Sequence, residues 1–341
     1  MLLVLGPCSA ESFTQLHDIA KELSTFRFDY FRAGLWKPRT MPEVFEGVKE
    51  QGLAWMQQIK KEFNYKIATE VASPYMVEKC LQYDFDMLWL GARTTQNSFL
   101  VEDIANALQG SRVKIMVKNP LNPDLKLWLG AIERLENKNI KDIVAVHRGF
   151  SLSYNKYRQS PLWRIPLELK RIRKDIDIIC DPSHISGDRK YVAEIASNAI
   201  ATGFDGLMVE VHNNPSKALT DSKQQLTVNE LRQLLKNLPI IDKNKNSAKV
   251  DLQLKALREQ INELDYQIVS LLAQRMDVSY EIAKVKKENN MAAFQPKRWA
   301  NVEDNVLKIA KENSLKTDFI KEIYEIIHQE SILKQNLIIY K

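Results

Sequence analysis

The chain has 341 residues, of which 45% are hydrophobic and 27% charged, a composition typical of globular proteins in aqueous solution. This length exceeds what one ordinary hydrophobic core occupies, so we expect two domains. The net charge of +6 is modest and no basic run is interleaved with aromatic residues, so we expect small anionic ligands and no nucleic acid.

Cysteine usage and the N-terminal residues indicate the compartment. The three cysteines, Cys8, Cys80 and Cys180, are widely spaced and odd in number, which argues against a disulfide framework. We therefore expect a reducing, cytoplasmic environment. The opening run LLVLGP is apolar for only five residues and lacks a basic flank, so we expect neither a signal peptide nor a membrane span.

Short apolar runs alternate with amphipathic segments along the first 240 residues. We predict eight strands, at 2–6, 30–34, 66–71, 87–91, 114–118, 143–147, 177–181 and 206–210. The helices that follow them are predicted at 12–25, 43–62, 74–83, 97–108, 123–137, 161–173, 189–202 and 227–237. Continuous apolar strands separated by helices are typical of a parallel sheet covered on both faces. Eight such units in this length predict an α/β fold, a (β/α)8 TIM barrel.

Side chains that suit a metal ion follow three of the predicted strands. Cys8 follows the first strand, His184 follows the seventh, and Glu210 ends the eighth, with Asp221 a little further on. A thiolate, an imidazole and carboxylates suit a divalent metal of the Mn, Fe, Zn or Co type. Because the carboxyl ends of barrel strands form one mouth, these groups are predicted to meet there.

The same mouth is predicted to collect cations, namely Lys37, Arg39, Arg93, Lys118 and Arg148. Five positive charges around one pocket repel each other unless an anion normally occupies it. Arginine and lysine at this density indicate phosphate and carboxylate groups as ligands. Arg32, inside the second predicted strand, also requires an anionic partner, because an unpaired buried charge is strongly unfavourable.

The sequence motifs at these strand ends resemble those of a known enzyme family. In chain order they are GPCSAES, RAGLWKPRT, GARTTQN, VKNP, HRGF, DPSH and EVH followed by ALTD. Residues 1–238 resemble the 3-deoxy-D-arabino-heptulosonate 7-phosphate synthases, which condense phosphoenolpyruvate with erythrose 4-phosphate in the first step of the shikimate pathway. The related 3-deoxy-octulosonate 8-phosphate synthases differ at KPRT (37–40), so arabinose 5-phosphate is the alternative sugar.

The resemblance implies a role for each motif residue. The metal ligands would be Cys8, His184, Glu210 and Asp221. Phosphoenolpyruvate would be held by Arg32, Lys37, Arg93, Lys118 and Arg148, and erythrose 4-phosphate by Arg39 and Thr40. The implied reaction is an aldol-like condensation with a metal as Lewis acid. Glu70, His184 and Lys118 are all candidates for proton transfer, and the sequence does not rank them.

Composition changes at 239–250, a polar, lysine- and asparagine-rich stretch predicted to be a linker. Residues 251–341 contain no glycine, and we predict an all-α domain of three helices at 251–288, 296–313 and 317–337. The first helix carries a long apolar stripe from Leu254 to Ile282. A helix of ~38 residues is ~57 Å long, so the stripe is predicted to pack on a second copy of the chain.

The segment 251–337 resembles the all-helical, dimeric chorismate mutases, through LKALREQINELDYQIVSLLAQRMDVSYEIAKVKK, QPKRW and HQESILKQ. Residues at that family's functional positions are Arg258, Arg275, Lys286, Arg298, Ser331 and Gln335. The resemblance implies that chorismate is rearranged to prephenate without a cofactor, and that Arg258 enters from the partner chain. Trp299 and Gln295 depart from the pattern, because acidic residues are common at both positions.

Fusion of the two domains predicts regulation. Chorismate or prephenate bound to the helical domain is expected to reduce barrel activity, a coupling that must be reciprocal. The alternative is that the helical segment only mediates dimerisation or senses a metabolite, attached to a barrel of the octulosonate type.

Overall fold

In a computed structural model, the chain is described for residues 1–37, 45–152, 156–239 and 248–340. It divides into two compact units, Met1–Lys243 and Asn244–Lys341. The first unit contains eight parallel strands and the second only helices. The predicted fold class, a TIM barrel followed by an all-α domain, is therefore confirmed.

The eight strands close into a barrel in chain order, each paired in parallel with its neighbours. They are β1 (Leu2–Gly6), β2 (Tyr30–Arg32), β3 (Ile67–Val71), β4 (Met87–Leu90), β5 (Lys114–Lys118), β6 (Ile143–His147), β7 (Asp177–Cys180) and β8 (Gly206–Glu210). Their interiors are almost entirely buried, which explains the continuous apolar runs in the sequence.

The barrel unit has ten α-helices among the described residues: α1 (Phe13–Leu23), α2 (Gln51–Phe63), α3 (Pro74–Gln82), α4 (Ala92–Thr95), α5 (Ser98–Leu108), α6 (Leu125–Asn137), α7 (Arg164–Ile172), α8 (Pro182–Ser186), α9 (Val192–Ala201) and α10 (Val228–Asn237). Short 3-10 helices occur at Arg189–Tyr191 and Pro215–Lys217. Polar N-caps fix several of these helix starts; Thr227 and Glu230, for example, form a capping box on α10.

One predicted helix was wrong at its start. Residues 45–50 of the predicted helix 43–62 are not helical, and α2 begins only at Gln51. The backbone there is in the left-handed region at Gly47 and Lys49, which a continuing helix excludes. The segment bonds back to the β2 loop instead, with Lys37 N donating to Glu46 O at 2.8 Å and Lys49 N to Leu35 O at 2.9 Å.

Two layers of apolar side chains hold the barrel together. The inner layer fills the barrel itself with residues such as Trp89, Met116 and Met208. The outer layer packs the opposite faces of the strands against the helices. Since the lumen is filled by side chains, only the strand ends and loops remain to form a binding site.

The helical unit consists of α11 (Ala248–Glu288), α12 (Pro296–Glu312) and α13 (Thr317–Ile339). Helix α11 starts at Ala248, so the last three residues of the predicted linker are helical. Proline at the first position of α12 is favoured, because its missing N–H would be unsatisfied there anyway. Helix α13 packs on both α11 and α12.

The first half of α11 exposes a row of large apolar side chains, which we name the apolar row. Its members are Leu254, Leu257, Ile261, Leu264, Ile268 and Leu271, each between 40% and 63% exposed. Exposure of this kind along a helix of 41 residues is unusual for a monomer. Further along α11, Met276 and Ala283 are buried within the unit.

Candidate active sites

The carboxyl ends of β1 and β8 bring together a thiol and two carboxylates. Ligand atoms of Cys8, Glu210 and Asp221 all lie within 4.8 Å of one another. Cys8 Sγ is 3.3 Å from Asp221 Oδ2 and 3.0 Å from Lys37 Nζ. Gly6, at φ 144°, allows the end of β1 to lie close to β2, because a Cβ there would lie 2.2 Å from the carbonyl oxygen of Arg32.

His184 lies beside this cluster, on the short helix α8. Its Nε2 is 3.7 Å from Glu210 Oε1, and its Nδ1 is 2.8 Å from Asp181 Oδ2. Asp181 also caps α8 by accepting from the backbone N–H of His184. A carboxylate that fixes the second nitrogen of a histidine is a common arrangement around metal ligands. All four predicted metal ligands thus lie in one region of the barrel mouth.

Two buried ion pairs flank the cluster. Arg32 Nη2 is 3.1 Å from Glu210 Oε1, and Lys118 Nζ is 2.8 Å from Asp181 Oδ2. Burial disfavours the ionised form of Asp181, but the charges of His184 and Lys118 outweigh it and hold the pKa of Asp181 well below its ordinary value. Burial also disfavours the ionised form of Glu210, but the charges of His184 and Arg32 lower its pKa, so both carboxylates stay charged and compensate their cations.

Unpaired guanidinium nitrogens remain at the mouth. Among the described residues, Arg32 Nε and Nη1 and Arg148 Nη1 are buried and have no hydrogen-bond partner. Burial lowers the pKa of Arg148 from 12.5 to about 10, and the neighbouring charges of Arg158 and Arg93 contribute to the decrease. Buried donors of this kind are nearly always satisfied in folded proteins. Donors of this kind suit an anionic ligand.

The remaining predicted residues of the barrel lie as follows. Lys37 is half-buried next to Cys8, and Arg93 is exposed on α4. Arg39 and Thr40 lie outside the described residues. Glu70 accepts a hydrogen bond from Trp89 Nε1 at 3.1 Å, so it faces the top of the barrel lumen.

Sequence reasoning missed several residues of this site. The ring of Trp89 lies 4.9 Å from the Arg32 guanidinium and 5.8 Å from Lys118 Nζ, so it contacts both buried cations. Gln225 accepts from Cys8 N at 2.9 Å and donates to Thr220 O at 2.8 Å, which ties the two cluster loops together. Asp181 was also not predicted as a site residue. The motif DPSH, which directly follows β7, was the sequence signal that could have indicated it.

The helical unit contains a cavity of about 350 Å3 between its three helices. Five of the predicted residues line it: Arg275, Lys286, Arg298, Ser331 and Gln335. Arg275 Nη1 donates to Ser331 Oγ at 2.6 Å, and Lys286 Nζ donates to Gln335 Oε1 at 2.8 Å. Three cationic side chains around one small cavity suit a dianionic ligand.

Arg258 lies away from this cavity, whereas Trp299 forms part of its wall. Arg258 is exposed and is not part of its lining within the chain. Trp299 lines the cavity and stacks on His328, with ring centroids 3.9 Å apart and planes at 13°. Together with Gln295, this pair forms an uncharged wall where acidic residues were expected from the resemblance.

Residues 1–245 match the family model of the DAHP synthetase I family. The chain belongs to this family. Residues 257–336 match the model for chorismate mutase type II, so a DAHP synthase domain is fused to a chorismate mutase domain, as predicted. The chain is an enzyme of both families. Among the described residues, no helix combines the length and apolarity that crossing a membrane requires.

Individual relatives agree with this assignment. Phospho-2-dehydro-3-deoxyheptonate aldolase of Thermotoga maritima is 30% identical over 237 residues, which cover 69% of this chain and 68% of the relative. Its crystal structure superposes with a TM-score of 0.63 at 28% identity, over 70% of this chain and 68% of that one. A truncated form of the Thermotoga maritima synthase gives a TM-score of 0.60 at 26% identity, over 69% and 84% of the two chains.

Octulosonate enzymes are also similar to this DAHP synthase-family chain. The 2-dehydro-3-deoxyphosphooctonate aldolase of Wolinella succinogenes is 29% identical over 268 residues, 70% of this chain and 98% of the relative. The family model and the Thermotoga relative nevertheless favour the heptulosonate assignment over the octulosonate alternative.

Proposed function

We propose that the barrel condenses phosphoenolpyruvate with erythrose 4-phosphate to 3-deoxy-D-arabino-heptulosonate 7-phosphate and phosphate. The observation that carries this proposal is the set of buried guanidinium nitrogens of Arg32 and Arg148 that lack partners among the described residues, beside a thiol–carboxylate cluster. Phosphoenolpyruvate offers a carboxylate and a phosphate, which match the fork geometry of guanidinium donors.

The residues of the cluster fit a divalent metal. Cys8, His184, Glu210 and Asp221 would hold an ion of the Mn, Fe, Zn or Co type, because sulfur, nitrogen and oxygen donors all lie near one point. When bound, the metal supplies Lewis-acid polarisation of the aldehyde oxygen. In this proposal metal dependence is a property of the barrel reaction, and the helical unit needs no cofactor.

The side chains of the barrel bind and orient the substrates. Arg32 and Lys37 bind the carboxylate of phosphoenolpyruvate. Its phosphate is held by Arg93, Lys118 and Arg148. The erythrose phosphate is bound by Arg39 and Thr40, which lie outside the described residues. Fixing both substrates in one orientation converts their encounter into an effectively unimolecular step.

The reaction then follows from the substrates. The methylene carbon of phosphoenolpyruvate forms a bond to the aldehyde carbon, the electrons of the C=O π bond move to the aldehyde oxygen, which takes a proton, and positive charge develops at the carbon that bears the phosphate. Water adds to that carbon, and inorganic phosphate leaves. Glu70, His184 and Lys118 remain the candidates for moving protons. Lys118 Nζ lies 2.8 Å from Asp181 Oδ2, so in the free site this candidate is engaged in an ion pair.

A parallel assay tests this assignment. Full-length protein is supplied with phosphoenolpyruvate and either erythrose 4-phosphate or arabinose 5-phosphate, each with and without a chelator. We expect phosphate release with erythrose 4-phosphate that disappears with chelator and returns with added metal. Preferential turnover of arabinose 5-phosphate would favour the octulosonate alternative, and full activity in chelator would refute the metal.

We propose that the helical unit converts chorismate to prephenate. Arg275 and Arg298 would clamp the carboxylates, and Lys286 and Gln335 would donate to the ether oxygen as its bond breaks. The Lys286–Gln335 hydrogen bond supports this, because both groups face one cavity of suitable volume. With Trp299 in its wall, the cavity has no carboxylate for the substrate hydroxyl among the described residues that line it, so we expect slower turnover than in mutases that have one.

We propose that two chains dimerise through α11. The exposed apolar row supports this, since burying it against a copy would remove large apolar surface from water. Arg258 lies 17 residues before Arg275, ~25 Å along the helix, so it reaches a mutase cavity only in a partner chain. Dilution in analytical ultracentrifugation tests the dimer, and a monomer at all concentrations would contradict it.

We propose further that prephenate inhibits the barrel reaction. The support is the fusion of an early pathway enzyme to a cavity that suits a downstream dianion. Where prephenate acts by lowering the affinity for phosphoenolpyruvate, reciprocity requires phosphoenolpyruvate to weaken prephenate binding by the same factor. The test measures synthase rate against prephenate in wild type and in Arg275→Met; inhibition that survives the substitution would exclude this cavity as the sensor.

A further inference from the structure

A chain of hydrogen bonds joins the outer oxygens of two carboxylates in the thiol–carboxylate cluster. Arg158 Nη1 donates to Asp221 Oδ1 at 3.0 Å and also to Gln224 Oε1 at 3.0 Å. Gln224 Nε2 in turn donates to Glu210 Oε2 at 2.7 Å. One arginine and one glutamine therefore connect both acids, and neither was singled out from the sequence.

The inner oxygens of the same acids face the cluster. Asp221 Oδ2 lies 3.3 Å from Cys8 Sγ, and Glu210 Oε1, which also pairs with Arg32 Nη2 at 3.1 Å, lies 3.7 Å from His184 Nε2. Each carboxylate thus has one oxygen turned toward the other candidate ligands and one engaged by the Arg158–Gln224 chain. A carboxylate held in this way cannot rotate freely to offer both of its oxygens to one ion.

We propose that Arg158 and Gln224 form a clamp that makes Glu210 and Asp221 each present a single oxygen to the metal. The proposal rests on the metal site of the proposed function. Both residues are positioning residues, because they act on the metal through its ligands. Partners of this kind typically contribute 10- to 100-fold in metal affinity or activity, in order of magnitude.

The fold builds the clamp from three loops. Arg158 N donates to Ser186 O at 3.2 Å, which docks the β6–α7 loop against the C-terminus of α8. Gly187 ends that helix at φ 65°, and a Cβ there would lie only 2.4 Å from Arg158 Cβ. Gln224 is 1% exposed, so its amide has no alternative partner in water. Glycine at 187 is thus required for the arginine to reach Asp221.

Metal affinity of the full-length protein tests the clamp. The variants are Arg158→Met, Arg158→Lys and Gln224→Met, and the control is Lys156→Met. Lys156 lies in the same loop, but its ammonium pairs with Glu194 at 2.8 Å. Dissociation constants for Mn²⁺ and Co²⁺ are measured by competition with a chelator, and thermal unfolding without metal checks that each variant folds.

We expect metal dissociation constants about 10- to 100-fold higher for Arg158→Met and Gln224→Met, and less than about threefold higher for Lys156→Met. Arg158→Lys keeps the positive charge but loses the planar guanidinium that donates to two acceptors. Its metal affinity should therefore lie between those of Arg158→Met and wild type. In the Co²⁺ protein, the thiolate charge-transfer band of Cys8 should persist, while the d–d bands should weaken as a freed carboxylate raises the coordination number.

Three results would overturn the proposal in different ways. If Arg158→Met and Gln224→Met bind Co²⁺ as tightly as wild type with unchanged d–d bands, the clamp is refuted and the metal site stands. If wild type binds no metal, or Cys8→Ser leaves affinity unchanged, the metal site of the proposed function fails and the clamp fails with it. An equal loss in Lys156→Met would show a general effect of loop charge and would also refute the clamp.

Discussion

Replacement of Arg148 by methionine is expected to stabilise the free barrel while removing its affinity for phosphoenolpyruvate. Arg148 is 7% exposed and burial lowers its pKa from 12.5 to about 10. At ~1.36 kcal/mol per pH unit, this difference corresponds to ~3 kcal/mol against folding at pH 7. Because the folded chain has the lower pKa, the penalty is complete below pH ~10 and disappears only as the pH rises toward 12.5.

Unfolding and ligand binding are measured on the same proteins. Methionine keeps much of the apolar stem, so packing is largely retained. For a unit of this size, 1 kcal/mol shifts the melting temperature by ~2–4 °C, which predicts a rise of roughly 6–12 °C for Arg148→Met without ligand. In wild type, phosphoenolpyruvate should raise the melting temperature by mass action, and in the variant this increase should vanish.

The control is Lys126→Met, which removes an exposed cation from α6 and should leave both stability and affinity unchanged. If Arg148→Met melts below wild type in the absence of ligand, the guanidinium is already satisfied in the free chain. If the variant melts higher but still binds phosphoenolpyruvate with wild-type affinity, Arg148 is not part of the anion site. Either result would refute the reasoning.

Three further predictions follow from the pairs and surfaces described above. Lys118→Met leaves Asp181 with His184 alone and should destabilise the free barrel, by up to ~3 kcal/mol in urea unfolding, opposite in sign to Arg148→Met; equal stability would contradict the pairing. Lys286→Met removes an ether-oxygen donor and should slow chorismate loss ~10²–10³-fold while synthase rate is unchanged; a parallel loss of both activities would argue against separate sites. Ile261→Lys with Leu264→Lys should convert dimers to monomers in ultracentrifugation, since each side chain is more than half exposed in one chain; an unchanged dimer would exclude the apolar row.

The positions of the strands could be predicted because burial on both faces gives each strand a continuous apolar run, which is visible without tertiary information. The helix predicted at 43–62 was wrong at its start for a different reason. Phe45 and Val48 have helical spacing, but their segment is held by hydrogen bonds to Lys37 and Leu35, which lie outside the segment. Local periodicity cannot distinguish a helix from a loop whose apolar residues pack on the same core.

The side chains of the site also differ in whether the sequence alone could predict them. Cys8 and Glu210 could be predicted because strand ends converge in any barrel. Arg158 could not, because its partner Asp221 is 63 residues away and the contact depends on how two loops dock. Helix α8 was missed because its five residues are too short to show a period, although it carries His184.

The balance of buried charge at the barrel mouth connects stability with the proposed chemistry. Glu210 is paired with Arg32 and Asp181 with Lys118, which leaves Arg148 as the buried cation with no ion pair among the described residues. Each paired carboxylate lowers the energetic cost of a cation that must be buried to exclude water from the substrate. The guanidinium of Arg148 has no ion pair to offset the free-energy cost of its burial. In the proposed function an anionic ligand offsets that cost, which favours binding. Pairing Arg148 with a third carboxylate would stabilise the empty barrel and weaken its binding of phosphate, so the proposed phosphate site requires that this guanidinium stay without an ion pair.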